Sequence, residues 1–242
     1  MKRKEIYSAI RAAPPVIIRL DGRNFKESLS RLGFAKPYDL RFEQGMVCAA
    51  RMLVEQSSLA PEWAFTFSDE VSLLFNELPF DGRVEKLDSV IPSYMASALT
   101  IALKVETPLA FDSRVIPVHP EEIPAYLANR QAETWRNHMQ SYGFYTLVAE
   151  GMGEKEAAAK MKGMRFEDIH ELMWQRGTNL NETPGWQRKG VFIYRRITER
   201  EGYNPLKGEK VTVERREVIE DWDPPLFTSE EGKEYLRQAL GK

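Results

Sequence analysis

One short stretch constrains this chain more than any other: Val16-Ile17-Ile18-Arg19-Leu20-Asp21-Gly22-Arg23-Asn24-Phe25. Val16 to Leu20 is an apolar run rich in β-branched residues, entered through Pro14-Pro15, and reads as a buried strand. Asp21-Gly22 ends it. A carboxylate at a strand end, beside a residue with no side chain, lets a cation or a phosphate approach the backbone closely. Asp-Gly is also the strongest short signal for a type I′ hairpin. A hairpin needs a second alternating strand, whereas Phe25, Leu29 and Leu32 recur four and three apart, which is helical spacing. A strand, Asp-Gly and a helical turn are therefore expected.

A second anchor follows. Ala64-Phe65-Thr66-Phe67-Ser68 alternates, and Val71 to Phe75 is β-rich, with Asp69-Glu70 between them. This is a hairpin with two acids at its tip. Acids in a tight turn are usually solvated, but the nearly all-apolar run after them marks a central hairpin whose tip faces a site. Between the anchors, residues 23–37 are a loop with helical character, carrying Lys26, Arg31 and Lys36 and ended by Pro37. Asp39 can cap the next helix, in which Phe42, Met46, Ala50, Leu53 and Val54 share a face up to about Leu59. Cys48 within it is expected to be a buried, inert thiol. After a turn at Pro79 to Gly82, residues 83–104 are helical, with Leu87, Ile91, Tyr94, Met95 and Ala98 on one face, and Leu109 to Val118 is a strand.

The order βαββαβ is the ferredoxin-like split arrangement, an α+β class. Its first and third strands lie side by side at the sheet centre. The end of the first and the start of the third then share an edge, which puts Asp21 beside Asp69. Two such acids are costly together unless a cation lies between them. A pair of Mg²⁺ ions held by carboxylates and substrate phosphates meets that requirement.

The remainder is less patterned. Residues 1–13 are a charged lead-in with a short helix. Glu121-Glu122 open a helix with Ile123, Tyr126, Leu127, Arg130 and Thr134 at helical spacing. Short helices are expected at 154–162 and 166–175, a turn at Thr183-Pro184-Gly185, a strand over Lys189 to Arg196 with a partner over Lys210 to Ile219, and a helix over Ser229 to Leu240. Net charge is −2, so a nucleic-acid partner needs a local basic patch. Arg130, Arg136, Asn137, Arg188, Lys189, Arg195 and Arg196 are the candidates for one. Cys48 is the single cysteine, which excludes an internal disulfide and a cysteine-rich metal site. His119, His138 and His170 lack zinc-ligand spacing; His138 either touches RNA or is an ordinary polar helix position. With no apolar signal core and no run long enough to span a membrane, a cytoplasmic setting is expected.

Several motifs fall in order over about residues 16–145: Arg19-Leu20-Asp21-Gly22-Arg23-Asn24-Phe25, Phe34-Ala35-Lys36-Pro37-Tyr38-Asp39, Ser68-Asp69-Glu70, Phe111-Asp112-Ser113-Arg114, Arg130-Gln131 and Arg136-Asn137. Together they resemble the tRNA-His guanylyltransferases and their relatives, the reverse (3′–5′) RNA polymerases. The resemblance implies a polymerase-like palm with a helical and β C-terminal part, usually assembled as a tetramer. The expected division is a palm-like catalytic domain over residues 1–140 and a C-terminal helical and β-hairpin region over 141–242. It implies metal ligation by Asp21, Asp69 and the Gly22 carbonyl, and nucleotide binding around Asp21, Gly22, Arg23, Asn24, Phe25, Lys26, Ser68 and Asp69. Arg83 and Lys86 match triphosphate-binding positions, and Lys36 and Asp39 a functional pair. Substrates would be ATP, GTP and other nucleoside triphosphates, with tRNA as partner, in a dimer or tetramer.

The chain departs from the family pattern at two places. Lys26 stands where the tRNA-His enzymes carry His, and Trp135-Arg136-Asn137-His138 stands where they have His-Ile-Asn-Asn. The latter version is similar to the archaeal and bacterial branch, which fills in missing 5′ nucleotides against a template. Templated repair of 5′-truncated tRNA is thus the expected activity, with strict addition of one guanylate to tRNA-His as the alternative.

The chemistry agrees with this. Nucleotidyl transfer is mostly positioning and charge neutralisation. Asp21 and Asp69 would hold the metals, Lys36 would act on phosphate, and Glu70 is a third ligand, an orienting group or a solvated turn acid. Asp112 is expected to be a structural acid beside Arg114. A palm-type nucleotide cyclase would need no RNA. A βαββαβ RNA-binding module would stack bases on exposed sheet aromatics, which strands ending in acids do not favour.

Overall fold

The computed structural model describes the backbone of residues 4–204 and 209–240, and the side chains of residues 4–198 and 216–240. Its first half runs β1 (Val16–Gly22), α1 (Phe25–Arg31), α2 (Leu40–Gln56), β2 (Trp63–Phe67), β3 (Glu70–Phe75), α3 (Val84–Leu103) and β4 (Phe111–Pro117). The strands lie in the order β4-β1-β3-β2, as the split βαββαβ pattern requires. The second half runs α4 (Ile123–Ala149), α5 (Glu154–Met161), α6 (Phe166–Trp174), α7 (Gly185–Lys189), β5 (Val191–Asn204), β6 (Glu209–Asp221) and α8 (Glu230–Ala239). β5 pairs antiparallel with β2 and β6 with β5, so the second half extends the same sheet to six strands.

Both faces of this sheet are covered, which is why β1 reads as a continuous apolar run. Val16, Ile18 and Leu20 join the core with Met46, Leu53, Ile91 and Leu99 of α2 and α3. Ile17 points the other way, into a cluster with Trp63, Phe65, Leu74, Ile123, Leu127 and Phe192. Alternate side chains of a strand take opposite faces, so each one anchors a separate layer. A third, smaller core of Met139, Leu147, Met161, Ile169 and Met173 ties α5 and α6 to the far part of α4. α4 runs unbroken through residue 140, where the division between palm and C-terminal region was expected.

Several local expectations change. Residues 6–9 form turns, and the start of the charged lead-in, residues 1–3, lies outside the described residues. The thiol of Cys48 is exposed, because α2 turns Val47 and Ala49 inward on either side of it. Lys189 ends α7, and Gly190 turns the chain into β5 at a φ of 76° with a Cβ position 2.6 Å from the Phe65 ring, so the strand starts at Val191. His138 is fully buried, accepts or donates at Nε2 to Thr183 Oγ1 at 3.1 Å, and is pushed down to about 4 by burial. It is an interior packing group and cannot touch RNA.

Candidate active site

The site forms where β1 ends and β3 begins. β1 and β3 pair antiparallel with Asp21 opposite Glu70. Ser68 and Asp69 are a two-residue turn between β2 and β3, since Phe67 pairs with Glu70. Ser68 holds a φ of 52° there. The Gly22 amide donates to the Asp69 carbonyl at 3.0 Å. A Cβ on Gly22 would stand 2.4 Å from the Phe25 ring and 2.8 Å from the Asp69 Cβ, so no side chain fits and the two acidic segments close against each other.

Three acids lie in a row across the sheet, Asp112 and Glu70 flanking Asp21 as its cross-strand partners. They differ in what neutralises them. Glu70 is held by Arg130, whose Nη1 donates to both carboxylate oxygens at 3.1 and 3.3 Å. Burial pushes the Glu70 carboxyl up, and Arg130 pulls against it. Asp112 is half exposed and 3.8 Å from Arg114. Asp69 has no ion pair among the described residues. Burial raises its carboxyl above the usual carboxylate range, and the charge of Asp21 raises it further; Lys36 opposes both. Burial in turn lowers the Lys36 ammonium, with Asp69 opposing.

Beneath Asp69 lies a cavity of about 210 Å³, with walls that include Lys36, Asp39, Glu43, Ser68, Asp69 and Tyr145. Asp39 is expended on local structure. Its carboxylate accepts from the Arg41 side chain at 2.6 Å, the Ala35 amide at 2.8 Å and the Arg41 amide at 2.9 Å, which hold its pKa well below the usual carboxylate range. It therefore shapes the loop that carries Lys36 while capping α2.

The other expected residues divide. Phe25 is buried against Phe42 and Phe111 and forms part of the cavity wall. The Arg23 amide donates to Ala110. Asn24, at a φ of 58°, precedes α1 and donates to Glu27 at 2.9 Å. Lys26 is paired with Glu154 at 2.7 Å. Arg83 and Lys86 open α3; neither lines this cavity, and Arg83 lies 3.8 Å from Glu85. The seven residues expected to form a basic surface are mostly committed: Arg130 to Glu70, Arg136 to Glu133, Lys189 to Asp223 at 2.6 Å, Arg188 to the Thr183 carbonyl at 2.7 Å, and Arg195 to the Pro61 and Val54 carbonyls. Asn137 lines a small recess with Ser68, Tyr38 and Trp186. Arg196 is exposed.

Glu43, Tyr38, Tyr145 and Trp186 belong to the cavity without having been singled out. Glu43 had a signal: a carboxylate between Phe42 and Met46, inside the apolar face of a helix, is either an error of pattern or a site. Arg19 also had one, as the only charge inside the apolar run Val16 to Leu20. It lies near Glu70 and Tyr126, where Ser72 and Tyr126 share a hydrogen bond of 2.8 Å.

Asp21, Asp69 and the Gly22 carbonyl are hard oxygen donors, the chemistry Mg²⁺ prefers. The mutual repulsion of the two acids is the kind of cost that a divalent cation offsets. Among the described residues no three His, Cys, Asp or Glu side chains form a ready-made metal cage. Mg²⁺ is commonly held by one or two carboxylates plus substrate phosphates and water, so the residues fit.

The chain matches the family model "tRNAHis guanylyltransferase" over residues 1–119 and "Thg1 C terminal domain" over residues 121–223. It is 30% identical to the probable tRNA(His) guanylyltransferase of Drosophila melanogaster, over 94% of this chain and 79% of that one. The Mus musculus counterpart is also 30% identical, over 83% and 73%. Among solved structures, a bacterial tRNA(His) guanylyltransferase (Thg1)-like protein in complex with GTP superposes with a TM-score of 0.73 at 22% identity, covering 99% of this chain and 96% of that one. The enzyme of Saccharomyces cerevisiae superposes at 0.70 and 22%, covering 88% and 94%. The chain belongs to the tRNA(His) guanylyltransferase (Thg1) family, a family of nucleotidyltransferases. No helix among the described residues is long and apolar enough to cross a membrane.

Proposed function

We propose that this chain extends the 5′ end of tRNA in the 3′–5′ direction, repairing 5′-truncated tRNAs by copying the opposite strand of the acceptor stem. The observation that carries this reading is Asp69, in the wall of a cavity that also holds Lys36 and within reach of the charge of Asp21. A 5′-monophosphate lacks a leaving group. Its oxygen attacks the α-phosphorus of ATP or GTP, the α–β bond breaks, pyrophosphate departs, and the tRNA carries a nucleotide joined 5′ to 5′. The 3′-hydroxyl of an incoming nucleoside triphosphate then attacks the tRNA 5′-phosphorus and releases the nucleoside monophosphate. The new end carries a triphosphate, so the next addition releases pyrophosphate and needs no activation.

In these steps Lys36 neutralises phosphate oxygens, Ser68 and the Gly22 backbone border the reacting phosphate, and Asp21 and Asp69 hold the cation. Mg²⁺ bound there supplies charge neutralisation for the attacking hydroxyl and the departing pyrophosphate. Arg83 and Lys86 are surplus cations for a second triphosphate. Glu70, committed to Arg130, positions β3 and does not ligate metal. tRNA binding falls to the exposed cations, Arg196 among them, with affinity that drops as salt rises. The reading includes a cytoplasmic setting and a dimer or tetramer, because one subunit is small for both the acceptor end and the tRNA body.

The names of the relatives favour the alternative, addition of a single guanylate to tRNA-His. Against it, Trp135 stacks on His138 at 5.4 Å and both belong to the packing of α4, while Arg136 pairs with Glu133. That leaves Arg136 and Asn137 as the exposed residues of the segment, in place of the His-Ile-Asn-Asn of the tRNA-His enzymes. Several 5′-truncated tRNAs, each with a changed base opposite the gap, separate the readings. Addition that follows the template in different tRNAs is expected; addition of G alone, confined to tRNA-His whatever base lies opposite, overturns it.

A further inference from the structure

The cavity below Asp69 contains a group that phosphate chemistry leaves unexplained. Glu43 is 2% exposed, lines the cavity wall, and its Oε1 has no hydrogen-bond partner among the described residues. No cation among the described residues pairs with it. The cavity wall that includes it also holds the flat rings of Phe34, Tyr38, Phe42 and Trp186, which suit a purine ring, and Lys26 and Lys36, which suit its phosphates. A buried carboxyl without a partner is costly, and a ligand that completes its hydrogen bonds removes that cost.

We propose that Glu43 reads the base of the activating nucleotide and selects adenine, acting as a neutral carboxylic acid that accepts one hydrogen bond and donates another. This rests on the assignment of the cavity as the nucleotide site. A neutral carboxyl presents one acceptor and one donor side by side. Adenine presents the complement on its Watson–Crick edge, an amino N–H beside the N1 acceptor. Guanine presents N1–H and an amino N–H, two donors that need an ionised carboxylate. Burial among aromatic rings decides between the two states: it pushes the Glu43 carboxyl up to about 8, so the acid is mostly neutral at pH 7. Tyr38, whose hydroxyl is raised by burial, stays neutral beside it.

The test measures binding of α,β-methylene-ATP and α,β-methylene-GTP to the full chain with Mg²⁺, for the unaltered protein, Glu43→Gln, Glu43→Met and Lys36→Ala. Glutamine carries one acceptor and one donor as a neutral acid does, so Glu43→Gln should keep a preference for the ATP analogue of about tenfold or more. Glu43→Met fills the same space without polar atoms and should bring the ratio near one, chiefly by weakening the ATP analogue. Lys36→Ala should weaken both analogues alike. An unchanged ratio in Glu43→Met overturns the role of Glu43 and leaves the nucleotide site standing. A preference for the GTP analogue that Glu43→Gln abolishes overturns the choice of adenine. Failure of the unaltered protein to bind either analogue overturns the site assignment and the proposal with it.

Discussion

The two sides of the Ser68–Asp69 turn treat their ionisable groups differently. On the α4 side Glu70 is closed by Arg130, Ser72 by Tyr126, His138 by Thr183, and Gln131 bridges the Pro225 carbonyl and the Phe227 amide. Arg19 Nε, Trp63 Nε1 and His138 Nδ1 are left without a hydrogen-bond partner there among the described residues, but no carboxylate is. On the α2 side Asp69, Lys36 and Glu43 are each partly or wholly buried and none has an ion pair among the described residues. Asp69 and Glu70 are neighbours in sequence, yet Glu70 is closed by an ion pair and Asp69 has none among the described residues. Satisfied groups hold a fold together, whereas desolvated groups without partners are where a ligand can be bound and chemistry can be done.

Breaking the unpartnered side should cost activity and spare the fold. Asp21→Ala or Asp69→Ala is expected to lower nucleotide addition by about 1,000-fold or more, roughly 4 kcal/mol, with a Tm at or above that of the unaltered protein because a repulsive pair is removed. Labelled-nucleotide incorporation and thermal melts measure the two effects; near-normal turnover with a fallen Tm would reverse the assignment.

Glu43 makes the same contrast visible in pH. Its carboxyl binds a proton in the folded state up to about pH 8 but in the unfolded chain only up to about 4.5. The folded state therefore holds more protons across that window, and stability contributed by Glu43 is present below it and lost as pH rises through it. The full effect is up to about 5 kcal/mol at about 1.4 kcal/mol per tenfold change in proton affinity. Denaturant unfolding between pH 5 and 8 should show a downward slope that Glu43→Met flattens; an unaltered slope would place its origin elsewhere.

Breaking the satisfied side should do the reverse. Arg130→Ala leaves a mostly buried Glu70 without its cation and should cost about 3 kcal/mol, a Tm fall of roughly 6–12 °C for a chain of this size. Pairing it with Glu70→Gln should restore much of that loss. The smallest effect is expected at Lys26, whose pair with Glu154 is more than half exposed on both sides. Lys26→Ala should change stability by less than about 0.5 kcal/mol, so any larger loss in nucleotide addition would assign Lys26 to phosphate.

Much of this was open to reading from the residues. The β-branched run Val16 to Leu20, the Asp-Gly stop and the acid-tipped hairpin are local signals, and strand order follows from βαββαβ once those are placed. Gly22 was legible as a place of close approach, and the two-residue turn behind it gives the reason. Helix ends with a capping residue, such as Asp39 before α2, were also within reach. Cys48 and His138 were not, because helical spacing states that one face is buried but not how far around the helix a neighbour reaches. The same limit applies to α4, which packs on the sheet with its first part, Ile123 and Leu127, and on α5 and α6 with its later part, Met139 and Leu147.

Residue type and spacing by themselves determined the elements, their order, and the meeting of Asp21 with Asp69, since those depend on hydrophobic period and chain connection. Only the tertiary structure decided which charges are spent. Arg130 closes Glu70 across a gap between α4 and β3, Arg195 is drawn to the Pro61 and Val54 carbonyls, and Glu43 is left facing a cavity with nothing to neutralise it. Whether a charge is partnered depends on residues brought together from distant parts of the chain, and on the water that packing removes, neither of which a linear pattern records.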